Sequence, residues 1–78
     1  MVTRHELETT YRLNGRHYHA HTQIKQAEKD GRADYQAVIT DSPLHGTYGG
    51  WAGSVELALD FLNLAMQAEG AGEIRFAT

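Results

Sequence analysis

Three histidines alternate along the segment HYHAH, a spacing that could serve metal binding. His17, His19 and His21 are two residues apart, so on a strand all three imidazoles would share one face. Three alternate strand residues span about 13 Å, so only two could bind one ion, with Glu8 or Thr10 as a third ligand. The alternative is an exposed polar face of the sheet with no bound ion. We favour that alternative and predict no bound metal.

A glycine-rich loop, HGTYGGWAGS at residues 45–54, precedes an apolar segment. A loop before a helix can hold a phosphate, but the Gly-Lys-Ser/Thr ending of a P-loop is missing, and Tyr48 replaces the first glycine of a dinucleotide motif. Aromatic side chains on such a loop are typical of protein contacts. We therefore expect His45, Tyr48 and Trp51 to contact a protein partner. For Trp51, packing over the core is the competing interpretation.

The sequence offers few candidate catalytic groups. The chain has no cysteine, and Ser42 and Ser54 stand where turn and helix-cap residues are expected. The carboxylates of Glu6 and Glu8 would project into solvent, which does not suit a catalytic acid or base. We expect no enzymatic activity and no cofactor.

Two dipeptides, Asn14-Gly15 and Asp30-Gly31, predict the elements that position these residues. Both favour two-residue type I′ hairpin turns, since both central residues need positive φ. The predicted cross-strand pairs are Leu7–Thr22, Thr9–Ala20, Tyr11–Tyr18, Ile24–Ala37, Thr22–Ile39 and Gln26–Tyr35.

This register places the large apolar residues of three strands on one face of an antiparallel meander. They are Leu7, Tyr11, Leu13, Tyr18, Ile24, Tyr35 and Ile39. The histidines and most charged residues fall on the other face, where Val38 is the only misfit.

A helix is predicted over residues 55–68, with Ser54 as its N-cap and Gly70 as its terminator. The segment EIRFAT then alternates as a short strand, with Ile74 and Phe76 inward. The predicted fold is α+β, in the order β-β-β-α-β, with the helix packed on one face of the meander.

The apolar arc of this helix is wider than one sheet face requires. Leu57, Phe61 and Leu64 lie on its flank. They predict a homodimer interface, or else they are covered within the chain by the loop and the last strand. Glu56 and Asp60 belong to the polar arc, and we expect them to contact a basic surface of a partner.

Composition limits the class of protein. The 78 residues suffice for one domain, residues 1–78. The formal net charge is −3 and the basic residues are scattered, which disfavours direct nucleic-acid binding. No segment approaches the roughly 20 apolar residues of a membrane span, so we expect a cytoplasmic protein.

The stretch from Tyr18 to Ala68 resembles the HicB antitoxin domain, a partial RNase H-like fold. The matching features are the Asp30-Gly31 turn, the strand YQAVITD, Pro43, a loop glycine, and the helix segment SVELALDFLNLA. The resemblance implies a domain that binds a protein partner and blocks that partner's activity. The loop HGTYGGWAG is longer than that of the family, and no DNA-binding segment follows Thr78.

In its small size, acidity and lack of catalytic groups, the chain also resembles phage-encoded anti-CRISPR inhibitors. We therefore expect a non-enzymatic inhibitor, acting in a bacterial host, that covers the site of a nucleic-acid-handling protein. The alternatives are an antitoxin module that neutralises a toxin RNase, and a small metal- or anion-binding domain on the histidine face.

Overall fold

The structure is a computed structural model that describes residues 5–77. Its elements are β1 (His5–Leu13), β2 (Arg16–Lys29), β3 (Arg32–Ile39), α1 (Val55–Ala68) and β4 (Gly72–Ala77). The strands form one sheet in the order β3-β2-β1-β4, and each neighbouring pair is antiparallel. The predicted α+β fold, its element order and its three-stranded meander are confirmed.

Two tight turns set the register of the meander. Asn14 and Gly15 have φ angles of 52° and 79°, and Asp30 and Gly31 have φ angles of 54° and 76°. Positive φ at both central positions is what a type I′ turn requires. The cross-strand partners are the predicted ones: Leu7–Thr22, Thr9–Ala20, Tyr11–Tyr18, Ile24–Ala37, Thr22–Ile39 and Gln26–Tyr35.

The core lies on one face of the sheet, under α1. Its buried side chains include Tyr11, Ala20, Ile24, Ala37, Ile39, Ala58, Leu62 and Met66. Two threonines are also fully buried, and their hydroxyl oxygens lie 2.6 Å apart in a hydrogen bond between Thr9 and Thr22. Since an unpaired buried hydroxyl is costly, each threonine makes the other tolerable in the core. The face opposite α1, which we call the open face, carries the alternate side chains of the strands.

Both ends of α1 are capped as predicted. The hydroxyl of Ser54 accepts a hydrogen bond from the Leu57 N–H at 3.1 Å. At the other end Gly70 has a φ of 95°, and the N–H groups of Gly70 and Ala71 donate to the carbonyls of Gln67 and Met66. This pair of hydrogen bonds is the Schellman motif, which ends a helix at a residue of positive φ.

Strand β4 lies beside β1 and forms one edge of the sheet. Ile74 and Phe76 are half-buried against the core, as predicted. The register with β1 shifts between Thr10 and Arg12, and Glu73 has a φ of 49°. This bulge interrupts the regular edge of β4, and irregular edges resist pairing with other chains.

The hairpin of β2 and β3 extends past the core. No residue from Lys25 to Asp34 is buried, and the molecule measures 44 Å along its longest axis against 21 and 19 Å across. The tip is therefore a solvated arm that contributes no side chain to the core.

Candidate functional site

The loop between β3 and α1 runs back along the outer edge of β3. Five backbone hydrogen bonds join them: Gly46 N–H to Ile39 carbonyl (2.8 Å), Ile39 N–H to Thr47 carbonyl (2.9 Å), Gly49 N–H to Ala37 carbonyl (3.1 Å), Tyr35 N–H to Ala52 carbonyl (2.7 Å) and Ala52 N–H to Tyr35 carbonyl (2.8 Å). This segment covers the second edge of the sheet. Residues 47–52 are therefore an edge-covering segment with a fixed backbone, and not a free connection.

Gly49 is the point at which this segment meets the helix. A Cβ placed on Gly49 would lie 2.5 Å from the backbone N of Leu62 and 2.7 Å from the carbonyl carbon of Phe61. Only glycine permits so close an approach of two backbones. At Gly49 the missing side chain therefore serves close packing of the loop on α1.

Tyr48 stands on the open face of the sheet. It pairs with Val38 in an isolated antiparallel bridge, and directly paired residues project to the same side. Val38 is the one large apolar residue of β1–β3 that the alternation places on the open face, and Tyr48 lines a shallow depression with Val38, Lys25 and Gln36. The Tyr48 side chain is 62% exposed. The expected exposure of Tyr48 is confirmed, and Val38 has a neighbour that the sequence did not reveal.

Trp51 follows at a bulge in the same segment. The bridges Val38–Tyr48 and Tyr35–Ala52 leave three loop residues opposite two residues of β3, so one loop residue is extra. The Trp51 side chain is 48% exposed, and only half of its surface is covered by the chain. Trp51 lies five residues before Glu56, which is in the first turn of α1. The Cα atoms of the two residues are therefore at most about 18 Å apart.

His45 lies in the turn that begins the loop. The carbonyl of Ser42 accepts from the His45 N–H at 3.0 Å, and Ser42 itself has a φ of 73°. The Ser42 hydroxyl is hydrogen bonded to the Tyr11 hydroxyl at 2.7 Å. Leu44 is buried beside it, whereas His45 is exposed. Ser42 and Leu44 therefore hold the turn against the core, and the His45 imidazole is exposed to solvent.

The three histidines of β2 lie on the open face as predicted. His17, His19 and His21 pair with Arg12, Thr10 and Glu8 of β1, respectively. No group of three or more His, Cys, Asp or Glu residues within the described range 5–77 is placed to hold a metal ion. The metal-binding alternative therefore gains no support from the positions of these side chains.

His21 instead pairs with Asp41, a contact that sequence reasoning missed. The carboxylate accepts from the His21 backbone N–H and meets the Nδ1 atom, both at 2.7 Å. The side-chain hydrogen bond to Asp41, and then its negative charge, raise the pKa of His21 above 6.5. The same hydrogen bond, with that from the backbone N–H, lowers the pKa of Asp41 below 3.8. The pair ties β2 to the start of the loop at the surface.

The outer surface of α1 carries the remaining predicted site residues. Glu56 and Asp60 are exposed. Leu57 and Leu64 are also exposed, by 42% and 62%, while Phe61 is half-buried against the segment at Gly49 and Gly50. The segment thus covers part of the apolar flank, as one of the two interpretations expected, and leaves two leucines uncovered.

The predicted contact residues therefore occupy two surfaces. Tyr48 lies on the open face, whereas Glu56 and Asp60 lie on the helix that packs on the opposite face. Tyr48 stands at the border between the two surfaces, since it also lines a groove with Ala65 and Ala68 of α1. Trp51, at the edge between the two surfaces, belongs to the segment that links them.

No protein-family model matches the chain, and no curated protein or solved structure matches it. The resemblance to the HicB antitoxin domain therefore stays a hypothesis. Within residues 5–77, no helix is long and apolar enough to cross a membrane.

Proposed function

We propose that this protein is a non-enzymatic inhibitor that binds a nucleic-acid-handling protein and covers its working site. The observation that carries the proposal is the presentation of Tyr48 and Trp51. Tyr48 is 62% exposed and Trp51 is 48% exposed, although the backbone between them is hydrogen bonded to β3 and packed on α1 through Gly49.

A fixed backbone under exposed aromatic side chains favours binding. Association costs free energy for every segment that must be ordered, so an aromatic on an ordered backbone keeps more of its contact energy. Tyrosine and tryptophan are also the residues most enriched among side chains that dominate binding. Tyr48 and Trp51 therefore serve as the anchors of the contact.

The charge distribution supports a basic target. Residues 33–74 contain no lysine or arginine, and their carboxylates are Asp34, Asp41, Glu56, Asp60, Glu69 and Glu73. An acidic surface is attracted to the basic groove with which a protein holds nucleic acid, and it competes with the nucleic acid there.

The two serines of the chain have structural tasks, which supports a non-enzymatic role. The Ser42 hydroxyl bonds to that of Tyr11, and the Ser54 hydroxyl caps α1. Neither hydroxyl contacts a histidine that could act as its general base.

The test is capture from bacterial lysate with the tagged full chain, followed by mass spectrometry and an assay of the captured protein. We expect a nucleic-acid-binding protein whose nucleic-acid binding falls as the inhibitor is added. A captured toxin RNase would favour the antitoxin alternative. The proposal would be contradicted if the chain chemically modified the captured protein and left its nucleic-acid binding unchanged.

A further inference from the structure

Four apolar residues form a seam along the outer surface of α1. Leu57, Phe61, Leu64 and Ala68 follow one another at intervals of four, three and four residues. This is the a/d spacing of a heptad pattern, which brings one helix against another. At 3.6 residues per turn, the four positions fall within an arc of about 60°. The arc lies away from the buried Ala58, Leu62 and Met66. Phe61 is partly packed against the core, whereas Leu57, Leu64 and Ala68 are exposed.

A groove borders this seam. Its walls are residues 43–48 on one side and, on the other, Ala65 and Ala68 of α1 with the C-cap residue Glu69. The apolar seam runs parallel to the helix axis, and the groove adjoins its C-terminal end. A second helix lying along α1 is the shape that fits such a surface.

Carboxylates line the opposite side of the seam. Asp60 is about 40° around the helix axis from Leu64, and Glu56 lies one turn earlier. Glu69 follows the last residue of α1, and the helix itself contains no lysine or arginine. Charged residues that flank a heptad seam select the partner by complementary charge.

A second copy of this chain is a poor occupant for the same reason. Two α1 helices packed along this seam would bring Asp60 and Glu56 near the same carboxylates of the other copy, with no cation on either helix. Like charges in such positions oppose association.

We propose that this seam docks a cationic amphipathic helix of the partner protein, with apolar residues in heptad spacing and lysine or arginine beside them. The inference rests on the proposed function and deepens it, since it gives the chemistry of the partner segment. Tyr48 stands in the wall of the groove, so a helix docked on the seam would lie next to it.

The probe is a labelled 21-residue peptide of three heptads, with Leu at a and d and Lys at e and g, titrated with the full chain. Its control is the same peptide with Glu at e and g. We expect the lysine peptide to bind at least about tenfold more tightly. Leu64→Ala should weaken that binding about fivefold, and Asp60→Asn should reduce its salt dependence. His17→Ala, on the open face and outside the groove, should leave it unchanged.

Equal binding of the two peptides, or an unchanged affinity in Leu64→Ala, would overturn the inference. Light scattering that shows a dimer lost in Leu64→Ala would overturn it too, because a second copy would then occupy the seam. In any of these cases the proposed function stands if capture of the partner still depends on Tyr48. Melting temperatures of the variants serve as the folding control.

Discussion

Gly49 lies so close to Leu62 that a Cβ on the glycine would stand 2.5 Å from the leucine backbone nitrogen. Gly49→Ala should therefore force the edge-covering segment away from α1. We expect a loss of about 1–3 kcal/mol of unfolding free energy, which in a domain of this size lowers the melting temperature by several degrees.

The matched control is Gly53→Ala. A Cβ at Gly53 meets no atom within 4 Å, and this glycine has no positive φ. Thermal unfolding of both variants checks the prediction. If Gly49→Ala melts no lower than Gly53→Ala, the segment is not held against the helix.

Local turn and alternation signals made the meander predictable. Asn14-Gly15 and Asp30-Gly31 determine two registers that agree on one apolar face, and a shift of one residue would have exposed Tyr11 and Ile24. The helix ends were equally local, since the Ser54 cap and the Gly70 terminator act within a few residues.

The course of the loop was not predictable, because it depends on contacts distant in sequence. Glycines in a loop give the same signal whether they permit motion or close packing, and only the position of α1 distinguishes the two at Gly49. The role of Asp41 was hidden similarly, since its partner His21 lies 20 residues away. Val38 broke the alternation, and that was the one sequence signal of a neighbour on the open face.

The buried threonine pair gives a second prediction. Thr22→Val should leave the Thr9 hydroxyl without its partner at 2.6 Å, costing about 1–3 kcal/mol. The double variant Thr9→Val/Thr22→Val removes both hydroxyls and should recover part of that loss. Denaturant unfolding of the single and double variants measures the coupling. Strictly additive losses would mean that the two hydroxyls do not depend on each other.

The His21–Asp41 pair predicts a pH-dependent contribution to stability. The folded-state pKa of His21 is raised from 6.5, so its contribution is complete below that pH and is lost as pH rises through the raised value. The pKa of Asp41 is lowered from 3.8, so its contribution is complete above that pH and is lost as pH falls through the lowered value. The pair should therefore stabilise the fold most between these two ordinary pKa values.

Melting temperatures of the wild type and Asp41→Asn across this range provide the measurement. The difference in melting temperature between the two proteins should be largest between pH 3.8 and 6.5 and should shrink at higher pH. The NMR titration midpoint of His21 should be lower in Asp41→Asn than in the wild type. A difference that does not vary with pH would rule out the ion pair as its cause.

Charge reversal on α1 should act on the rate of association. Asp60→Lys removes a carboxylate from the surface that we expect to face a basic partner, so association should slow and depend less on salt. Glu28→Lys, at the exposed tip of the hairpin arm, is the matched control with the same change in net charge. Stopped-flow association at two salt concentrations compares them. An equal effect of both changes would indicate a response to net charge alone.

The affinity of Tyr48→Ala for the captured partner tests the central claim most directly. Truncating an exposed aromatic anchor typically costs about 2 kcal/mol or more, a loss of over tenfold in affinity. The fold should survive, since the Tyr48 side chain is 62% exposed. His17→Ala, an exposed change elsewhere on the open face, should bind as the wild type does. Calorimetric titration of the three proteins should give one weak binder, Tyr48→Ala, with an unchanged melting temperature. Wild-type affinity in Tyr48→Ala would contradict the account.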